Sequence, residues 1–97
     1  MRVTVRLASV LRDHAAGEAS VAVEVAGDDA TVAAVLDALD ALHPGVGRRI
    51  RDERGILRRH VNVFVGDEEC RRLGGLDAPV RDGAELSVLA AVSGGAA

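Results

Sequence analysis

Alternation of apolar and polar residues at the two ends of the chain predicts a β-strand at each end. Near the start, apolar side chains recur at every second position from Val3 to Leu7. Near the end, the same spacing runs from Glu85 towards Val92. Successive side chains of a strand point to opposite faces of its sheet, so each pattern predicts one buried face and one face towards solvent.

The interior of the chain carries the patterns of two further strands and one amphipathic helix. Residues 21–25 alternate as a second strand, and Val61–Val65 as a third strand before a Gly-Asp turn. Between them lies an apolar stripe at helical spacing, formed by Val32, Val35, Leu36, Leu39 and Leu42. Thr31 is the predicted N-cap of this helix, and Pro44 predicts that the helix ends near His43.

The segments between these elements are expected to be less regular. Residues 9–20 are predicted to form a loose connection in which Val10 and Leu11 tuck against the core. Residues 44–60 hold half of the arginines and are predicted to be irregular, with at most a short helical turn around residues 48–54. Both a solvated basic loop and a contact with an acidic partner are compatible with this composition.

The resulting order is strand, strand, helix, strand, short strand and strand, with the short strand around residues 69–72. This order predicts an α+β protein with the β-grasp, or ubiquitin-like, fold, a mixed sheet of about five strands packed on one main helix. In that layout the first and last strands lie side by side and parallel in the centre of the sheet. Residues 1–93 are expected to form this domain, and residues 94–97 a flexible C-terminal tail.

Composition and charge argue against several classes of function. A net charge of −3 and a single aromatic residue, Phe64, argue against a nucleic-acid partner. No apolar run approaches about 20 residues, so no membrane partner is expected, and the N-terminus lacks the apolar stretch of a signal peptide. The single cysteine, Cys70, is expected to be a packing residue and is typical of a cytoplasmic protein. The sequence offers neither a metal-ligand cluster nor a catalytic group of residues, so we do not expect an enzyme.

A pair of glycines, Gly94-Gly95, lies just beyond the last predicted strand. Because glycine has no Cβ, such a pair can enter a channel that is too narrow for side chains. A glycine at a chain end also presents its carboxylate without hindrance to an enzyme that activates it. The alternative interpretation is an inert tail, since glycine-rich chain ends are commonly disordered.

Several stretches of the chain together carry a family resemblance. They are residues 3–7, 10–12 and 31–42, the strand and turn at 61–69, Gly74-Gly75-Leu76, residues 80–83 and the final run 86–95. In this combination they are similar to the ubiquitin-like sulfur carriers of the MoaD/ThiS family. The spacing is particularly similar to that of the CysO-type carriers, which serve cysteine biosynthesis in actinobacteria.

The resemblance implies a protein that is a co-substrate and not a catalyst. An adenylating, E1-like enzyme would activate the Gly95 carboxylate with ATP, and a sulfur donor would convert the acyl-adenylate into a thiocarboxylate. The enzyme would recognise the tail through Gly94, Ser93 and Val92. A sulfur-accepting enzyme of a cysteine, thiamin or secondary-metabolite pathway would then take the sulfur. No cofactor is expected to be bound to the chain itself, because ATP is used by the activating enzyme.

The outer face of the sheet is expected to dock on the activating enzyme. Alternation in the last strand places Leu89 and Ala91 on that outer face. Phe64 of the third strand is expected to lie nearby and to complete an apolar contact patch. An isolated exposed leucine without a role is the alternative.

Two alanines, Ala96 and Ala97, follow the glycines and depart from the usual ending of the family. They lock the Gly95 carboxylate in a peptide bond, so the chain is predicted to be a precursor that is cut between Gly95 and Ala96. A zinc metallopeptidase is the predicted processing enzyme. The alternatives are a chain that has lost the carrier role and a chain that is activated at Ala97 itself.

Three other functions are compatible with the same residues. The chain fits the small subunit of molybdopterin synthase, a modifier conjugated to lysines of other proteins, or a β-grasp interaction domain with an inert tail. A stable complex with a larger catalytic subunit would identify the first of these functions. Mass-shifted adducts of other proteins would identify the second.

Overall fold

Seven strands form two sheets in the computed structural model, which describes residues 1–90 of the 97-residue chain. In chain order the strands are β1 Arg2–Leu7, β2 Ser20–Glu24, β3 Asp29–Thr31, β4 Val61–Val65, β5 Glu68–Glu69, β6 Pro79–Arg81 and β7 Glu85–Ala90. The main sheet has the order β2-β1-β7-β4-β5, and β3 pairs with β6 in a small second sheet. The predicted boundary after residue 93 lies outside the described residues.

The first and last described strands, β1 and β7, are parallel neighbours in the centre of the main sheet. Val5 is in register with Leu86, and Leu7 with Val88. On its other edge β1 pairs with β2 in an antiparallel hairpin, and β7 pairs antiparallel with β4. Both the mixed sheet and its central parallel pair confirm the predicted β-grasp fold.

The main helix, α2 Val32–Leu42, covers one face of this sheet. Its N-cap is the predicted one, because the Ala34 amide donates a hydrogen bond of 3.2 Å to Thr31 Oγ1. The buried side of the helix is formed by Val32, Val35, Leu36 and Leu39. The prediction that Leu42 belongs to this stripe is wrong, since its side chain is 56% exposed. The chain turns at His43 directly after Leu42, and residues of the next helix occupy the core beyond this point.

That next helix, α3 Pro44–Ile50, replaces much of the segment that we expected to be irregular. Proline suits the first turn of a helix because its fixed φ is already helical and no amide donor is needed there. Val46 and Ile50 of α3 are buried in the core. Gly47 lies so close to α2 that a Cβ at this position would overlap the Asp40 side chain. The close approach of α2 and α3 therefore depends on a glycine.

The connection between β1 and β2 is also more regular than predicted. It contains a short helix, α1 Ser9–Arg12, followed by a 3₁₀ turn at Asp13–Ala15. Leu11 is buried as expected, but Val10 is 47% exposed, so the prediction for Val10 is wrong. The two side chains point about 100° apart on this short helix, and only that of Leu11 faces the core.

The segment after β4 corrects the position of the short strand. We predicted it around residues 69–72, whereas β5 covers only Glu68–Glu69, and Cys70–Leu73 form a 3₁₀ turn. A second 3₁₀ turn, Gly75–Asp77, follows the predicted bend, where Gly74 and Gly75 have φ values of 111° and 67°. Only glycine adopts such angles without strain, so the Gly-Gly bend directs the chain back towards β6.

The core lies between the main sheet and the two longer helices. It includes Val3, Val5, Val61, Val63, Leu86 and Val88 from the sheet and the buried sides of α2 and α3. Among residues 1–90 no polar or charged residue is buried. The opposite face of the sheet carries alternate residues such as Arg2, Arg6 and Asn62, and these are exposed. A single apolar layer on one side of the sheet therefore stabilises the fold and leaves the outer face available for contacts.

Leu39 and Leu42 offer a matched test of this packing, because both were expected in the buried stripe. Leu39 is fully buried, so Leu39→Ala is expected to lower the free energy of unfolding by about 2–5 kcal/mol. Leu42→Ala is expected to change it by less than about 0.5 kcal/mol. Urea unfolding followed by circular dichroism measures both. Equal losses would contradict the exposed position of Leu42.

Candidate functional site

The residues predicted to carry the chemistry lie at the C-terminal end of the chain, in the part that the structure does not describe. Ala91, Val92, Ser93, Gly94, Gly95 and Ala96 all belong to residues 91–97. Their predicted roles in docking, recognition, activation and processing therefore stay predictions. What the structure places is the point from which they extend, Ala90 at the end of β7.

β7 lies between two partner strands, and its last residue, Ala90, is paired on one edge. On one side Ala90 is in register with Val61, the first residue of β4. On the other side β7 pairs with β1, and the Ala8 amide continues this pairing by donating a hydrogen bond of 2.9 Å to the Val88 carbonyl. β7 is thus paired on both edges up to Val88 and with β4 alone at Ala90. Residues 91–97, which are called the tail from here on, follow a central strand of the sheet and not an edge strand.

The outer face of β7 has the composition that the alternation predicted. Leu86 and Val88 are fully buried, whereas Leu89 is 48% exposed. Phe64 of β4 is partly buried and shares the outer face, because it is in register with Ser87 while Asn62 is in register with Leu89. Phe64 and Leu89 are therefore diagonal neighbours across two strands, a spacing of about 7–8 Å between backbones. The structure brings these two predicted interface residues together.

Polar groups surround this apolar pair. Phe64 also lines a shallow open hollow of about 430 Å³, together with Asn62, Asp67, Glu68, Glu69 and Arg72. Exposed apolar side chains within a polar rim are typical of surfaces that bind other proteins. The arrangement is compatible with the predicted docking role and offers no enclosed pocket for a small molecule.

Arg71, which no sequence pattern singles out, joins the elements beside this hollow. Its guanidinium donates to Asn62 Oδ1 and to the Arg58 carbonyl at 3.3 Å each, and it lies 3.5 Å from Glu69 Oε2. The side chain thereby connects the 3₁₀ turn after β5 with the start of β4. Only the tertiary structure reveals this role, because the partners are 2, 9 and 13 residues distant in sequence.

Cys70 is a packing residue, as expected, and not a reactive thiol. Its side chain is fully buried in the core, and Sγ lies 3.6 Å from Glu69 Oε2. Burial, followed by the charge and hydrogen bond of Glu69, raises the pKa of the Cys70 thiol above its ordinary value. A buried thiol with a raised pKa is protonated at neutral pH and is a poor nucleophile.

Residues 1–90 offer no group of three or more His, Cys, Asp or Glu side chains that could hold a metal ion. None of the helices within that range is long and apolar enough to cross a membrane.

Comparison with known proteins links this geometry to a family. The sequence model of the ThiS family matches residues 6–95. The sulfur carrier protein CysO of Mycobacterium tuberculosis strain H37Rv is 40% identical over an alignment of 97 residues. The alignment covers 98% of this chain and 100% of that protein. A chain in the crystal structure of the Amycolatopsis orientalis BexX/CysO complex matches with a TM-score of 0.80 and 42% identity, over 93% of this chain and 96% of that one.

An archaeal protein is similar as well. The small archaeal modifier protein 1 of Haloferax volcanii is 41% identical over 80 residues, covering 82% of this chain and 86% of that protein. Its crystal structure matches with a TM-score of 0.82, over 96% of this chain and 98% of that chain. The fold and about 40% of the aligned residues are thus shared with proteins named as carriers and with proteins named as modifiers.

The raised pKa of Cys70 predicts a loss of stability in alkaline solution. The unfolded chain releases the thiol proton at a lower pH than the folded chain, so the free energy of unfolding should fall as pH rises beyond about 8.5. The chain has no tyrosine and no lysine, so no other side chain titrates between that pH and about 10. Urea unfolding across this range measures the slope.

The matched control for this prediction is Cys70→Ala. This variant is expected to be less stable throughout, because it leaves a cavity, but to lose the slope above about pH 8.5. A slope that persists in Cys70→Ala would assign the pH dependence to another group.

The position of Leu89 predicts a substitution that leaves the fold intact. Leu89→Asp is expected to cost at most about 1 kcal/mol of stability, because the side chain is exposed and only strand preference changes. Leu86→Asp, on the buried side of the same strand, is expected to unfold the protein. Circular dichroism and urea unfolding distinguish the two, and an unfolded Leu89→Asp would contradict the outward orientation of Leu89.

Proposed function

Because this chain belongs to the ThiS family of ubiquitin-like sulfur carriers, we propose that it carries sulfur on the carboxylate of Gly95. The observation that carries this proposal is the extent of the family match, which ends at Gly95 and leaves Ala96 and Ala97 outside. The geometry supports it, since the residues that would carry the chemistry follow β7, a central strand that pairs with β1 on one edge and with β4 on the other.

The proposed chemistry requires from the chain only a C-terminal carboxylate that is accessible and not hindered by side chains. An α-carboxyl group has a pKa of about 3.5, so it is ionised at neutral pH and can attack the α-phosphorus of ATP, which releases pyrophosphate. Sulfide sulfur from a donor then attacks the acyl carbon, and AMP leaves with one carboxyl oxygen. The product is a thiocarboxylate, a softer nucleophile than the original carboxylate. Gly94 and Gly95 contribute by having no Cβ at the point of reaction.

In this cycle the chain is a protein substrate and its partners are the enzymes. Cys70 is buried and its pKa is raised, which leaves residues 1–90 without an accessible thiol. The proposed partners are an adenylating, E1-like enzyme that uses ATP and a biosynthetic enzyme that accepts the sulfur. The relatives named CysO and the complex of a CysO with BexX support partner enzymes of this kind. A reducing cytoplasm suits a protein that carries reduced sulfur.

Ala96 and Ala97 require a processing step before activation. While they are present, the Gly95 carbonyl is part of a peptide bond and offers no carboxylate. We assign their removal to a peptidase, by preference a zinc metallopeptidase, that cuts between Gly95 and Ala96. Two alanines are small enough to enter a narrow protease groove, and no residue of the tail is charged.

A second function, protein modification, is favoured by the similarity to the small archaeal modifier proteins. The same activated Gly95 carboxylate would then be transferred to an amine of another protein instead of receiving sulfur. The two fates share the adenylation step and differ only in the group that attacks the acyl carbon. The small subunit of molybdopterin synthase remains a further alternative within the same fold.

The test is the intact mass of the protein after incubation with ATP and a sulfur donor in an extract of its own source. The proposal expects loss of Ala96 and Ala97, followed by exchange of one oxygen for sulfur. Oxidation of Met1 or Cys70 adds nearly the same mass, so the thiocarboxylate is identified by alkylation and by fragmentation of the C-terminal peptide. Covalent adducts with other proteins would favour the modifier function.

Two matched variants locate the reaction. A chain that ends at Gly95 should be loaded without processing, and Gly95→Ala in the same shortened chain should be loaded poorly, because its Cβ narrows the fit. An unchanged mass of the shortened chain, in an extract that loads a control carrier ending in Gly-Gly, would rule out the carrier function.

A further inference from the structure

Five exposed basic residues form a surface, which we call the arginine cluster, at the end of the sheet from which the tail departs. The arginine cluster consists of Arg48, Arg49, Arg58 and His60, which line one hollow, and of Arg59, which lies between Arg58 and His60 in the chain. Residues 48–60 hold six arginines against two carboxylates, a net charge of +4, whereas the rest of the chain holds six arginines against thirteen carboxylates, a net charge of −7. The molecule therefore has one strongly positive region on an otherwise negative body.

No side chain of the arginine cluster forms an ion pair within residues 1–90, although Arg48 and Arg58 also line a hollow that contains Asp37, Asp40, Asp52 and Glu53. A surface hollow of about 380 Å³ is lined by Arg48, Arg49, Arg58 and His60, all of them basic. The ion pairs within residues 1–90 involve Arg2, Arg6, Arg51, Arg54 and Arg71. Every acidic side chain of the sequence lies within that range. The arginine cluster is thus available to a negatively charged partner.

Hydrogen bonds to neutral carbonyl groups hold the cluster in place. Arg58 Nε donates to the Arg48 carbonyl at 2.9 Å, and the Arg58 amide donates to the Ile50 carbonyl at 2.9 Å. Arg49 Nη1 donates to the Gly45 carbonyl at 2.9 Å. These bonds tie the segment before β4 to the end of α3 without cancelling charge. An arginine side chain that is already held by a hydrogen bond loses less conformational entropy when it binds a partner than an arginine side chain that moves freely.

The register of the sheet places the arginine cluster beside the start of the tail. His60 directly precedes Val61, and Val61 is in register with Ala90, the last residue before the tail. The five residues from Ala91 to Gly95 span at most about 17 Å when extended. A partner that encloses this tail must bring the rim of its cleft close to Ala90, where the arginine cluster lies.

We propose that the arginine cluster docks on an acidic rim around the tail-binding cleft of the adenylating enzyme. This inference rests on the proposed carrier function. The Gly95 carboxylate must approach the phosphates of bound ATP, and both groups are negative, as is the rest of the carrier surface. Attraction between the cluster and an acidic rim offsets this repulsion and orients the carrier with its tail towards the cleft.

An acidic protein surface fits the cluster better than a nucleic acid does. The chain as a whole is negatively charged and has a single aromatic residue, so it lacks both the general basicity and the stacking surface of a nucleic-acid binder. Contact with the nucleotide is also disfavoured, because ATP is bound where the tail ends and not where it begins.

The experiment compares single charge reversals in the chain that ends at Gly95. Arg48→Glu and Arg59→Glu alter the arginine cluster, whereas Arg81→Glu makes the same change of charge at an exposed position of β6, in the other sheet. The KM of the carrier in ATP–pyrophosphate exchange is measured with the adenylating enzyme of the source organism, at low and high ionic strength. Circular dichroism and urea unfolding verify that each variant is folded.

The two cluster variants are expected to raise the KM of the carrier about tenfold at low ionic strength, and this difference should shrink as salt screens the charges. Arg81→Glu is expected to stay within about twofold of the parent chain. Arg48→Gln, which removes the charge without reversing it, should give a smaller increase than Arg48→Glu.

Failure of this inference is distinguishable from failure of the proposed function. If the parent chain is not adenylated at all, the carrier function itself is wrong. If it is adenylated but the cluster variants behave like Arg81→Glu, only the docking inference is wrong. A raised KM for ATP with an unchanged KM for the carrier would show that the cluster contacts the nucleotide. If the parent chain binds added RNA, and the cluster variants lose this binding but are adenylated normally, the cluster binds nucleic acid. Either result would overturn the inference.

Discussion

The parallel pairing of β1 with β7 is the constraint on which the rest of the structure depends. It joins residues 4–7 to residues 85–88, so nearly the whole chain must be arranged between two adjacent strands. Parallel neighbours need a crossover connection, and α2 supplies the helical part of this one while covering the apolar face of both strands. The pairing also makes β7 a central strand, with β1 on one edge and β4 on the other. The place in the sheet from which the tail follows is thus set by the same interaction that closes the fold.

Those parts of the fold that depend on strong local patterns could be predicted from the sequence. Alternation identified β1, β2, β4 and β7, and the Thr31 cap and Pro44 gave both ends of α2. Helix α3 was not predicted because it is only seven residues long, contains two glycines, and has an apolar side formed by Val46 and Ile50 alone. The close fit of Gly47 against Asp40 is a contact that only the tertiary structure shows. Strands β3 and β6 are three residues each and are stabilised by pairing with each other over about fifty residues of sequence, which a local pattern cannot reveal.

The candidate site likewise contains features that the sequence predicts and features that only the fold creates. Gly94-Gly95 and the outward side of Leu89 are local features, and the sequence was sufficient to single them out. The neighbourhood of Phe64 and Leu89, and that of the arginine cluster and Ala90, both follow from the antiparallel register of β4 and β7. A basic composition at residues 48–60 was evident from the sequence, but not its position at the start of the tail. The structure therefore adds to the site chiefly by showing which surfaces surround the tail where it leaves the domain.

The choice of arginine for that surface has a chemical consequence for a protein whose own carboxylate is activated. An acyl-adenylate reacts with amines, and a lysine near the tail would compete with sulfur for the acyl carbon. All twelve of the Lys and Arg side chains are arginine, whose guanidinium stays protonated at any physiological pH and is not a nucleophile. The α-amine of Met1 donates hydrogen bonds to the Val25 and Gly27 carbonyls, in the part of the chain that follows β2 and away from β4 and α3. The arginines of the cluster can therefore attract a negatively charged partner to the base of the tail without offering the activated carboxylate a lysine amine to react with, whatever evolutionary bias excluded lysine from the chain.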